Sequence, residues 1–128
     1  MTTTAHTSGP ELADRLLQDV GNESVIAAVK LLGAHRDGFW LRELLDPASP
    51  AHAAVNAVDV LEGGQPWIDW HIVDELLESR KLKQSSSELA VLAVAASIAG
   101  PHRVNLARVL RAVDEDELSL VVTALTEA

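Results

Sequence analysis

The run ELAVLAVAASIAG at residues 88–100 carries one charge, at its start, and is otherwise apolar on almost every side of a helical wheel. A helix of that kind must be enclosed by other elements, so the segment predicts a layered helical packing with itself near the centre. The rest of the chain supplies suitable neighbours. Its apolar residues are mostly Ala, Leu and Val, with one Phe, three Trp and no Tyr, a composition that favours close-packed helices over strands rich in aromatic and β-branched residues. A chain of 128 residues has the length of one domain and buries about two-thirds of its unfolded surface. The expected class is all-α, with about seven helices arranged around central apolar helices.

Stop and start signals divide the chain. Residues 1–9 lack periodicity and are expected to form a disordered tail, leaving residues 10–128 as a single all-helical domain. Pro10 opens a first helix, Asn22 caps a second whose apolar positions run from Val25 to Leu32, and FWLRELLD supplies a third, stopped at Pro47. Ser49-Pro50 predicts a helix running through Ala54, Val55, Val58 and Leu61, broken by Gly63-Gly64 and Pro66. Asp69 is the expected cap of the helix bearing Trp70, Val73, Leu76 and Leu77, and residues 65–68 are the one candidate extended piece. A Ser of the 85–87 cluster caps the central helix. Asn105 precedes LARVLRAV, and Asp114 with Glu117 forms a D-x-x-E capping box for the last helix.

Two tetrapeptides stand at corresponding places, GAHR at 33–36 and GPHR at 100–103. Aligned on them, the stretches 23–62 and 88–128 share a plan of apolar helix, G-x-H-R turn, short amphipathic helix and longer helix. This makes an internal repeat a candidate, with the halves packed through the helices near 25–32 and 89–99. The structural reading of G-x-H-R is a helix ending, with a left-handed Gly and with His and Arg facing the last carbonyls. The functional reading gathers His35, Arg36, His102 and Arg103 into one concave site for an anion or an acidic partner segment.

Three helices joined by tight turns resemble the tri-helical core of helix-turn-helix and winged-helix domains, best over residues 88–128 and less well over 23–62. The resemblance implies two tri-helical units in tandem, and in DNA-binding members the third helix reads the major groove. Here that helix is DEDELSLVVTALTEA, without Lys or Arg and with four carboxylates in its first turn. A net charge of −9 also repels phosphate backbones. Nucleic acid is therefore not the expected partner, and a DNA-binding regulator would have to use a basic patch around Arg103, Arg108 and Arg111.

Other constellations are weaker. His71, Asp74, Glu75 and Glu78 share one helical face and could offer a metal some of its ligands, although a solvated charged face is the commoner outcome. Phe39, Trp40, Trp67 and Trp70 are candidate interaction aromatics, against the commoner role of core anchors. No cysteine is present, and no nucleophile elbow or Gly-rich phosphate loop occurs. The expectations are no catalytic residue, no cofactor and no dedicated metal site. The expected function is a non-enzymatic, acidic protein-interaction or regulatory domain of a bacterial or phage-type protein. Its partner is an unknown protein, which the acidic exterior would select to be basic, and a homodimer is compatible with the apolar helix at 89–99. The alternatives are a helix-turn-helix-like DNA-binding regulator and a small enzyme or metal-binding protein. Without a leader or an apolar run of membrane length the chain reads as cytoplasmic, with no membrane partner.

Overall fold

Local capping decides where most of the helices begin. In a computed structural model that describes residues 7–56 and 66–128, seven α-helices are found among the described residues. They are α1 (Gly9–Leu16), α2 (Glu23–Ala34), α3 (Phe39–Leu45), α4 (Trp70–Glu78), α5 (Ser86–Ala99), α6 (Leu106–Ala112) and α7 (Glu115–Glu127). Asn22, Asp69 and Asn105 each accept a hydrogen bond from the first turn of the helix that follows. Ser85 with Glu88 and Asp114 with Glu117 complete reciprocal capping boxes. These starts fall where the sequence places them, because a side-chain oxygen matched to orphan N–H groups is a short-range preference.

One start was hidden in the expected tail. Ser8 and Glu11 form a capping box, and the Gly9 N–H donates to Asp37 Oδ1 at 2.8 Å, so residues 7–9 belong to the folded domain. Residues 1–6 lie outside the described residues.

The expected fourth helix is a second correction. Pro50–Ala54 forms a 3-10 helix, and Val55–Asn56 (β1) then pairs antiparallel with Trp67–Ile68 (β2), Val55 opposite Ile68. Two tertiary bonds replace the helical ladder. The Ala54 carbonyl accepts from the Asp69 N–H at 2.7 Å, and His52 Nδ1 lies 2.7 Å from the Leu44 carbonyl. Of the residues expected to continue that helix, Val58 and Leu61 lie outside the described residues. The third elements of the two halves therefore differ: α5, α6 and α7 make a three-helix unit, whereas α2 and α3 are followed by a 3-10 helix and a strand.

The core lies between α2 and α5. Ala28 and Leu32 from α2, with Val91, Leu92, Ala95 and Ala96 from α5, are essentially sealed from solvent. Trp40 on α3 is completely buried, and its indole N–H donates to the Glu88 carbonyl at 2.7 Å, tying α3 to the first turn of α5. Trp70 is a core residue of α4, Phe39 packs edge-on to Trp40, and of the aromatic set only Trp67 is exposed, at 48%. The candidate interaction aromatics are thus mainly anchors.

Neither glycine of the G-x-H-R pair serves as a left-handed helix ending. Gly33 is inside α2, where an added Cβ would sit 2.7 Å from the Ala13 Cβ and 2.8 Å from the Gly9 carbonyl oxygen of α1. Gly100 follows α5 in extended conformation, where a Cβ would meet the Trp70 Cβ at 2.5 Å. Close approach of backbones, not chain reversal, is what requires glycine at both. The left-handed positions after α2 are Arg36, Asp37 and Gly38 instead. Gly33→Ala provides a test in which two effects have opposite signs. Helix propensity alone predicts a gain of about 1 kcal/mol, whereas the α1–α2 contact predicts a loss of about 1–3 kcal/mol. The midpoint of urea unfolding is expected to fall.

Candidate functional site

The two G-x-H-R histidines do not share a cleft. His35 is 1% exposed, and its Nε2 lies 2.7 Å from Oε2 of Glu117, itself buried on α7. His35 Nδ1 is buried and meets no donor or acceptor among the described residues. A proton on Nε2, donated to the carboxylate, leaves only a lone pair unmatched at Nδ1, which is cheaper than a buried N–H without an acceptor. Arg36 extends the cluster, donating to Glu88 Oε2 at 2.6 Å and approaching Glu117 Oε2 at 3.6 Å. His35 and Arg36 thus clamp the end of α2 to α5 and α7.

Glu88 is held by several donors at once. Burial would raise its carboxyl, but the Ser85 N–H and hydroxyl and the Arg36 guanidinium outweigh it, and the group lies below the ordinary Glu value. Stability from a depressed carboxyl is present above the unfolded-state value and lost as pH falls through the folded one. Glu88→Gln is expected to cost about 1 kcal/mol near neutrality. That gap should close on acidification to and below the ordinary Glu value, as followed by urea unfolding across pH.

The second tetrapeptide turns the other way. His102 Nδ1 lies 2.7 Å from Asp74 Oδ1 and 3.6 Å from Glu78 Oε1 of α4. Helical spacing alone groups Asp74 and Glu78 with His71 and Glu75 on one face of α4. The structure leaves His71 exposed and supplies His102 from the loop after α5.

His102 and Arg103 border a groove of about 870 Å³ between the end of α4, the loop at 79–85, α5 and α6. Its floor is apolar, made by Leu76, Leu82, Leu89, Ala93, Val104 and Val109, among others. Arg80, Lys83, Arg103, Arg108 and Arg111 also line it, half of the chain's ten Lys and Arg, with Glu78 as the single carboxylate. None of the five cations is ion-paired with a carboxylate of the described residues. Arg103, Arg108 and Arg111 were legible as a patch. Arg80 and Lys83 were not, because they reach the groove from a polar stretch whose path only the packing of α4 on α5 decides.

The last helix, which the helix-turn-helix resemblance would make the DNA-reading one, is otherwise occupied. In α7, Val121, Ala124 and Glu117 are buried, and the first turn carries Glu115 and Asp116 besides Glu117. Among the described residues no helix is long and apolar enough to cross a membrane. Comparison with protein-family models, curated proteins and solved structures finds no match to the chain.

The contrast between the buried His35 and the exposed His71 is open to measurement. His35→Ala is expected to lower unfolding free energy by about 3 kcal/mol, because it leaves a buried carboxylate without its partner. His71→Ala, on the exposed face of α4, should stay within about 0.5 kcal/mol of the parent. Chemical denaturation of the two variants reads both values.

Proposed function

We propose that the chain is a non-enzymatic interaction domain whose groove receives an acidic, amphipathic helical segment of a partner protein. The observation that carries this reading is the concentration, around an apolar floor in a chain of net charge −9, of five cations with no ion pair among the described residues. An apolar helix face would exclude water from the floor, and carboxylates along its edges would meet the cations. Such charge complementarity contributes mainly specificity and association rate. The overall acidity suits a basic partner, but that charge is spread over the exterior, whereas the cations line a concave surface of ligand-binding size.

A second reading, DNA binding, draws support from the same cations. Against it stand the acidic first turn of α7 and the long-range repulsion of an acidic chain for phosphate. The apolar floor also offers nothing that a duplex backbone would use.

The probe is a fluorescein-labelled synthetic helix of about 18 residues, roughly one bilayer-span in length, with Leu along one face and Glu along the other. Anisotropy should show saturable binding that weakens with added salt. Arg108→Glu with Arg111→Glu is expected to weaken it by about 1.4 kcal/mol or more, a tenfold effect. Equal binding of a peptide with Gln at every Glu would overturn the electrostatic reading. Retardation of a labelled DNA duplex at moderate salt, abolished by the same double substitution, would replace it with the second.

A further inference from the structure

We propose that Asp74, Glu78 and His102 form a binding site for one divalent ion of the zinc type. The three donors come from two elements and are brought together by the fold. Asp74 and Glu78 are four residues apart on α4, which places them one above the other on the same helical face. His102 reaches them from the loop after α5, and that loop is held close to α4 by the contact of Gly100 with Trp70.

The distances are those of a site within small adjustments of its ligands. One ligand atom from each residue lies within 4.8 Å of the other two. Zinc bonds of about 2.0–2.2 Å in a tetrahedron set ligand atoms about 3.4 Å apart. The His102–Glu78 separation of 3.6 Å already matches, and the His102–Asp74 separation of 2.7 Å has to open modestly. Glu78 is 67% exposed and free to swing, while His102 is only 10% exposed and held in place. The ion would replace the hydrogen bond between His102 and Asp74. In the neutral imidazole the Nδ1 proton moves to Nε2, leaving the Nδ1 lone pair for the ion, with no net proton released.

The donor set selects the ion. One imidazole and two carboxylates suit zinc or manganese better than a soft ion wanting thiolates, or a hard one wanting oxygen alone. With three protein ligands the fourth position is open, as in exchangeable or catalytic sites and unlike closed structural ones. His102 and Glu78 also line the groove, so the open position borders it. There an anionic group of a bound segment can complete the coordination. That last step rests on the proposed groove function, whereas binding of the ion does not.

Isothermal titration of the full chain with zinc chloride alone tests the site. The expected result is saturable binding of one ion per chain, weakened about tenfold or more by Glu78→Gln and by His102→Ala. His71→Ala should leave it unchanged. Glu78 is exposed, so its substitution keeps the fold and decides the question if His102→Ala proves unstable. Non-saturable binding, binding indifferent to Glu78→Gln, or binding lost only in His71→Ala would each overturn the proposal. Zinc binding without peptide binding would remove the groove reading and leave the ion site, and the opposite result would do the reverse.

Discussion

The turn at His35–Gly38 is the junction on which the other helices depend. Arg36, Asp37 and Gly38 are all left-handed, and for a non-glycine residue that conformation costs about 1–2 kcal/mol. Each strained residue is held by a different part of the chain. Asp37 receives the Gly9 N–H of α1, and Arg36 reaches Glu88 of α5. His35 meets Glu117 of α7 just before the turn, and Trp40 just after it reaches the carbonyl of Glu88. The strain is local, but the groups that offset it come from α1, α5 and α7, so this turn fixes how those three helices are placed around α2.

Glu88 and Glu117 each do two jobs there. Both are the third residue of a capping box, closing the start of α5 and of α7. Both also send the second carboxylate oxygen to the turn, Glu88 to Arg36 and Glu117 to His35. Helix starts and tertiary packing are therefore coupled through the same two side chains. A partly buried polar network of this sort is weak evidence for extra stability, since hydrophobic replacements can match it. Its clearer effect is on geometry, because few alternative packings would satisfy every partner.

The other tetrapeptide carries none of this work. His102 and Arg103 stand at the edge of the groove, and the loop that holds them meets α4 through His102 on Asp74 and Gly100 on Trp70. Similar tetrapeptides thus acquired a buried, structural role in one place and a surface role in the other. Burial explains the difference: α5 and α7 cover the first, and nothing among the described residues covers the groove beside the second.

Much of the helical plan could be read directly, and the reason is range. Caps such as Asn22, Asp69, Asn105 and the Asp114–Glu117 pair act within one turn, and the apolar stretch of α5 announces its own burial, so α5 at the centre and all-α packing follow from the residues alone. The misreadings at Gly33, Gly100 and Val55 share a cause. Each residue answers to a neighbour distant in the chain: Ala13 and Gly9, Trp70, and Ile68 respectively. The same holds for the candidate site. The sequence by itself marked Arg103, Arg108 and Arg111 as one basic patch. Only the tertiary structure decided that Arg80 and Lys83 join them and that Asp74 and Glu78 face His102 instead of His71. It also decided that His35 is sealed against Glu117, because these pairings depend on how α4, α5 and α7 pack, and no local preference encodes that.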